Sequence, residues 1–226
     1  MICLLKDNVG VVHLMSKWVL IQGSPRVNGK SARICRMISM YLAKVAPEVE
    51  LYTFDVAQRD VMGCNGCEYC RTNDACIIDD DMNTLIEELD CADRVILVTP
   101  IYFASLPSQT KALIDRLQPF FWDYVARRNN SGEQSAAENK GTQPLASQGV
   151  VSLAEVSSAC ISPKRPLMLY VVGDGGDPHG YEPLYTSVKA AFALAGFSID
   201  HCVEIIGKKR ITAKDADLEY LERAAQ

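Results

Sequence analysis

Trp18-Val-Leu-Ile-Gln-Gly-Ser-Pro-Arg-Val-Asn-Gly-Lys-Ser31 carries an apolar run straight into a glycine-punctuated loop, and a helical pattern starts where the loop ends. The run Trp18 to Gln22, bounded by Gly23-Ser24-Pro25, reads as a buried strand entering a turn. From Lys30 to Val45, Ile34, Ile38, Tyr41, Leu42 and Val45 recur at helical spacing, and Pro47 stops them. A strand, a glycine loop and a helix in that order predict the opening unit of an α/β domain.

The same alternation continues down the chain. Strands are predicted over Val49–Val56, Arg94–Thr99, Leu167–Val172 and Ser198–Ile206, and helices over Asp80–Leu89, Pro107–Ala126, Tyr181–Ala195 and Ala213–Ala225. Arg94-Val-Ile-Leu-Val-Thr99 has few polar positions, as a strand covered on both faces requires. Five strands alternating with five helices predict a doubly wound five-stranded parallel sheet of the flavodoxin-like kind, strand order 2-1-3-4-5, with helices on both faces. The 226 residues suit one such domain over 18–226, preceded by an extension over 1–17. Met15-Ser-Lys-Trp18 resembles a natural domain start, so residues 1–14 read as an extension or as an upstream start-site artefact. Residues 128–163 break the pattern. Asn, Ser, Gly, Gln, Glu and Lys dominate to about Gln148, which predicts a flexible insertion, while Val150–Ile161 is apolar enough to dock on a neighbour such as another subunit.

Gly23-Ser-Pro-Arg-Val-Asn-Gly-Lys-Ser31 joins the first strand to the first helix, where backbone N–H groups and the helix dipole face an anion. Ser24 and Ser31 add hydroxyls, and Arg26 and Lys30 add charge, so the loop reads as a phosphate cradle. It is not a nucleoside-triphosphate loop, because that motif places four residues between its glycines and this one places five. The third strand runs into Thr99-Pro100 rather than into the aspartate that a magnesium-dependent NTPase needs, and G-x-G-x-x-G is absent. Two further loops converge on the same edge of a parallel sheet: Pro100-Ile-Tyr-Phe-Ala-Ser-Leu-Pro107, and Gly173-Asp-Gly-Gly-Asp-Pro-His-Gly180. Tyr102 and Phe103 offer a wall for a flat ring, and the glycines of the third loop let backbone N–H groups approach its edge. Together the loops point to a planar phosphate monoester. His179 falls in the third loop and receives no role.

Cys64, Cys67, Cys70 and Cys76 form a C-x2-C-x2-C-x5-C run within the loop 63–77. Thiolates this close in one glycine-containing loop can wrap an iron–sulfur cluster. Structural zinc and a redox-active disulfide are the competing readings, although zinc ligand pairs usually have a longer spacer and a redox pair needs only two cysteines. Cys3, Cys35, Cys91, Cys160 and Cys202 are scattered at apolar or helical positions and read as buried small hydrophobes. Asp79, Asp80 and Asp81 directly precede the periodicity of Met82, Leu85, Ile86 and Leu89, so they read as helix capping rather than as a carboxylate metal site.

A formal charge of −5 and a pI near 5.3 argue against a nucleic-acid surface, and Lys208-Lys209-Arg210 reads as a solvated turn. No apolar run reaches the roughly 18 residues of a membrane span, and the first seventeen residues lack the order of a secretory signal. A cytoplasmic address follows, where nine cysteines are not a disulfide framework.

In GSPRVNGKS, in GCNGCEYC with its fourth cysteine and IIDDDM, and in VTPIYFASLPSQTKALIDR, the chain resembles the NAD(P)H-dependent FMN reductase family, and within it the iron–sulfur flavoproteins. The resemblance is specific over most of residues 18–125 and looser from Pro166 onward. It implies FMN with its phosphate on Ser24, Arg26, Asn28, Gly29, Lys30 and Ser31. The ribityl chain and ring would then lie along Pro100, Ile101, Tyr102 and Phe103, with Gly173, Asp174, Gly175 and Gly176 near the ring. It implies a 4Fe–4S cluster on Cys64, Cys67, Cys70 and Cys76, and a homodimer or homotetramer in which one subunit's cluster nears another's flavin. The activity implied is a flavin-dependent oxidoreductase passing electrons between FMN and cluster. Its partners would be reduced nicotinamide (NAD(P)H) or a ferredoxin-like donor, and a small acceptor such as a quinone or an oxygen species. The alternatives are a cluster-free NAD(P)H-dependent FMN or quinone reductase, and a non-catalytic flavin-binding electron carrier.

Overall fold

The computed structural model describes residues 16–73, 75–130, 164–176 and 178–225. Residues 1–15 of the extension expected over 1–17, nearly all of the insertion expected over 128–163, and Cys3, His13 and Cys160 lie outside the described residues. The elements are β1 (Lys17–Gln22), α1 (Lys30–Val45), β2 (Glu50–Asp55), α2 (Cys70–Asn73), α3 (Asp81–Cys91), β3 (Arg94–Pro100), α4 (Ser108–Asp115), α5 (Gln118–Asn130), β4 (Arg165–Gly173), α6 (Glu182–Leu194), β5 (Phe197–Ile206) and α7 (Leu218–Ala225).

The strands form one parallel sheet in the order β2-β1-β3-β4-β5, as expected. Alternation along each strand divides the core in two. Val19, Ile21, Val95, Leu97, Leu167 and Leu169 meet Met82, Leu85 and Leu89 of α3, Leu113 of α4 and Leu184, Val188 and Phe192 of α6. On the other face, Trp18, Leu20, Ile96, Val98, Met168 and Tyr170 meet Ile34, Ile38 and Leu42 of α1 and Leu218 and Leu221 of α7. Each such aliphatic side chain contributes about 1.5–3 kcal/mol relative to exposure, so both helical layers are held by burial. Pairing aligns the carboxyl ends: Gln22 sits opposite Asp55 and Val98, and Pro100 opposite Val172. The loops after β1, β3 and β4 therefore leave the sheet side by side.

Two predicted helices differ from expectation, and a short helix, α2, forms within the loop expected over 63–77. The helix predicted over Pro107–Ala126 is two helices, α4 and α5, separated at Arg116 and Leu117. Pro119 is the reason: it has no N–H to donate, and its ring would strike the carbonyl four residues back, so it fits only a first helical turn. The terminal helix starts at Leu218 rather than Ala213, because Asp217 takes a positive φ of 43° and ends the preceding turn. Among the described residues no helix is long and apolar enough to cross a membrane.

Candidate functional site

Helix α1 opens without a side-chain cap. Gly29 is the N-cap, no side chain bonds the first-turn N–H groups, and no acidic residue stands there. A 16-residue helix that begins this way leaves a positive dipole end that can face an anion. The loop before it is fixed from below. The buried Gln22 side chain accepts from the Ser24 N–H and donates to Asp55 Oδ1 at 2.8 Å, and Ser24 Oγ accepts from the Arg26 N–H at 3.1 Å. Gly23 donates to the Val98 carbonyl at 2.8 Å, and its own carbonyl accepts from Thr110 Oγ1 of α4. A Cβ at Gly23 would stand 3.0 Å from Thr110 Oγ1 and 3.1 Å from Thr99 Cβ, so only glycine lets the strand end pass under α4.

Ser24, Arg26, Gly29, Lys30 and Ser31 line one cavity of about 160 Å³ with Pro100, Ile101, Tyr102, Val172, Gly173 and Asp174. The three loops thus meet in one place. Lys30 and Asp174 form an ion pair there, and the Lys30 hydrogen bond is the main cause that holds the Asp174 carboxyl below its usual range. Asn28, Phe103, Gly175 and Gly176 do not line the cavity. Phe103 and Ala104 have φ of 52° and 59° in a tight turn closed by Tyr102 N–H to Ser105 O at 2.9 Å and Ser105 N–H to Tyr102 O at 3.0 Å. That turn leaves Tyr102 at the cavity and Phe103, wholly exposed, at its tip.

The cysteine loop leaves β2 and returns at α3. All four cysteines line a second cavity, of about 190 Å³, with Asn65, Gly66, Glu68, Ile78, Arg116, Gln118, Pro119 and Trp122. Gly66 and Glu68 take positive φ of 69° and 57°, which turns the loop between Cys64 and Cys70. Cys70 begins α2 and is buried, Cys76 is half-buried, and Cys64 and Cys67 are exposed. Cys64, Cys67, Cys70 and Cys76 are all free thiols. Burial pushes the Cys70 thiol up, and charge on Cys76, Cys64 and Cys67 pushes it the same way, so the four thiols feel one another. No group of three His, Cys, Asp or Glu side chains among the described residues could hold a metal ion as placed. Thiolates on separate corners of a cluster need not converge on one point, and four of them around a shared cavity suit that demand better than the demand of a mononuclear ion.

Arg116 anchors this loop. Its Nη1 donates to Asp80 Oδ2 at 2.7 Å and to the Met62 carbonyl at 3.0 Å, and its Nη2 donates to Asp80 Oδ1 at 3.0 Å and to the Ile78 carbonyl at 3.2 Å. Both side chains of the pair are 1% exposed. Asp80 is the N-cap of α3, accepting from Met82 N–H at 3.0 Å, as its position before the apolar periodicity predicts. Its ion pair with Arg116 has no local signal, since the partner lies 36 residues on. Burial alone would raise the Asp80 carboxyl, but Arg116 and the N–H groups of Met62 and Met82 outweigh it and hold it below the usual range. Of the five remaining cysteines, Cys35 is buried as expected, whereas Cys91 and Cys202 are half-buried.

Helix α4 joins the two cavities. Thr110, near its start, holds the glycine loop at Gly23, and Arg116, at its end, holds the cysteine loop at Met62 and Ile78. At 1.5 Å rise per residue these two grips stand about 9 Å apart along the helix.

Residues 16–140 match the NADPH-dependent FMN reductase family. The chain belongs to that family. Its curated relatives include an iron–sulfur flavoprotein of Methanosarcina thermophila, 38% identical over 98 residues that make up 42% of this chain and 49% of that protein. A second, from Methanocaldococcus jannaschii, is 29% identical over 58% of this chain and 68% of that protein. The chain thus spans about half the length of the first of them. Its fold is that of an FMN-dependent NADH-azoreductase from Bacillus anthracis, with a TM-score of 0.56 over 93% of this chain and 98% of that one at 15% identity.

Proposed function

We propose that this member of the family is an FMN-dependent oxidoreductase whose domain over 18–226 exchanges electrons between FMN and a 4Fe–4S cluster. The observation that carries the reading is the pair of cavities held by one helix, an uncapped helix N-terminus in the first and four thiols around the second. In the first, the N–H groups opening α1, the hydroxyls of Ser24 and Ser31 and the charges of Arg26 and Lys30 bind the phosphate. Pro100, Ile101 and Tyr102 form the wall for the ring, and Gly173 and Asp174 close the opposite side. In the second, Cys64, Cys67, Cys70 and Cys76 hold the cluster, and Arg116 with Asp80 keeps the loop ends in register. When bound, FMN supplies two-electron and one-electron chemistry and the cluster single-electron chemistry. The names of the relatives, iron–sulfur flavoproteins, support the cluster over zinc. Reduced nicotinamide suits the donor, because the family name carries NADPH and the azoreductase of like fold carries NADH.

A cluster-free reductase is the second reading, favoured by the absence of a three-ligand metal group among the described residues. The two separate in protein purified without air, by visible spectrum and by iron, sulfide and zinc content. Flavin bands over a broad reducible shoulder, with iron and acid-labile sulfide, are expected. Flavin bands alone, with steady nicotinamide oxidation and no iron, would move the assignment to the second reading.

A further inference from the structure

Arg116 has one donor that the fold does not use. Its two Nη groups meet Asp80 end-on and reach two backbone carbonyls, while Nε is buried and has no hydrogen-bond partner. An unmet N–H in the interior is costly, and each such group calls for an account. The residue lines the cavity that the four cysteines surround, and beyond Asp80 it is Cys76 that favours the charged guanidinium, both by charge and by the approach of its thiol to the side chain. Asp80 already neutralises the guanidinium, so simple charge balance gives the cavity little. What remains is a directional N–H on the one edge of the fork that the Asp80 pair leaves open.

We infer that Arg116 Nε–H is a hydrogen-bond donor to the sulfur of the cluster site, at Cys76 or at a cluster sulfide, and that it raises the potential of the bound cluster. The inference rests on the cluster reading above. Reduction adds negative charge to a site that already holds four thiolates, and an N–H aimed at sulfur stabilises the more negative form. Nε is suited to this because the Nη bonds lock the guanidinium plane, so the donor needs no reorganisation as the electron arrives. Arg116 acts here through the ligand sulfur, as a tuning residue.

The test is an EPR-monitored redox titration of full-length protein purified without air, wild type against Arg116→Lys. Lysine keeps a cation beside Asp80 and removes the fixed Nε–H. Iron-replete Arg116→Lys protein should show a lower cluster midpoint, by about tenfold in the reduction equilibrium, or about 59 mV for a one-electron couple. An unchanged midpoint in such protein overturns the inference and leaves Arg116 as a loop clamp only. Should Arg116→Lys fail to retain iron, pulsed EPR on reduced wild type labelled with 15N-arginine decides. Arg71 of α2 stacks on Trp122 of the same cavity and is another arginine close enough to give a signal, so a 15N coupling that persists in Arg71→Lys supports the donor role, and its absence, or its loss in Arg71→Lys, overturns it. Wild-type protein devoid of iron and sulfide would fell the cluster reading first, and this inference with it.

Discussion

The glycine loop and the cysteine loop both rise from the carboxyl edge of the sheet, and they are built in opposite ways. The glycine loop is finished by the fold alone. Gln22, Ser24 and Ser31 are buried beneath it, Asp55 and Thr110 bond it from two directions, and packing at Gly23 leaves no room for a side chain. The cysteine loop is fixed at its rim by one buried ion pair and two backbone carbonyls, while Cys64 and Cys67 at its centre face solvent. On the proposed reading, a phosphate would find a site already formed. A cluster would complete its site, so that its binding free energy becomes part of the loop's stability.

The contrast breaks most severely at the rim. Arg116→Ala leaves the Asp80 carboxylate buried and unpaired, which should cost about 3–5 kcal/mol of unfolding free energy in denaturant titration, together with loss of iron. Asp80→Asn should also reshape the acid limb of stability. The folded-state pKa of Asp80 is depressed, so its contribution is fully present above the ordinary carboxylate range near pH 4 and is lost as pH falls below it. The variant should therefore lose stability at neutral pH and show a shallower decline in acid, measured by thermal melts across pH.

At the glycine loop, Lys30→Met removes a charged donor to the phosphate. It should weaken FMN binding by about 1.5–3 kcal/mol, or on the order of ten- to a hundredfold by fluorescence titration, with iron content unchanged. Gly23→Ala forces Thr110 and Thr99 aside, which costs about 1–3 kcal/mol as an overpacked contact. Since Thr110 sits on α4, this variant is the one that could disturb both loops, and a fall in cluster midpoint as well as in FMN affinity would sharpen the role of α4 as a strut. The smallest effect belongs to Asp174→Asn. Its exposed pairing with Lys30 competes with a phosphate, so FMN should bind slightly tighter and with a stronger dependence on salt.

Most of the glycine side was legible in the sequence, because strand, turn and helix are encoded by neighbours. Apolar run, Gly23-Ser24-Pro25 and the periodicity from Lys30 to Val45 each carry a local signal, and the structure starts and ends α1 at those residues. The supports were not legible. Gln22 with Asp55, and Thr110 with Gly23, are pairs 33 and 87 residues apart that only the sheet register brings together. On the cysteine side the spacing of the thiols was readable, and so was the capping by Asp80. Arg116 was visible only as the last residue of a family-like stretch, since nothing local marks an arginine destined for a buried pair. Pro119 was a readable signal left unused, and it explains why one predicted helix is two. The tight turn that carries Phe103 outward depends on left-handed backbone at non-glycine residues, which residue types alone do not announce.

The central claim is that the two loops hold two different redox groups on one helix. Cys67→Ala, purified without air and assayed for FMN, iron and acid-labile sulfide beside the wild type, tests it most directly. The account predicts loss of iron and sulfide with FMN retained at the wild-type level, because the glycine loop does not depend on the cysteine loop for its shape. Full iron and sulfide in the Cys67→Ala protein would contradict it.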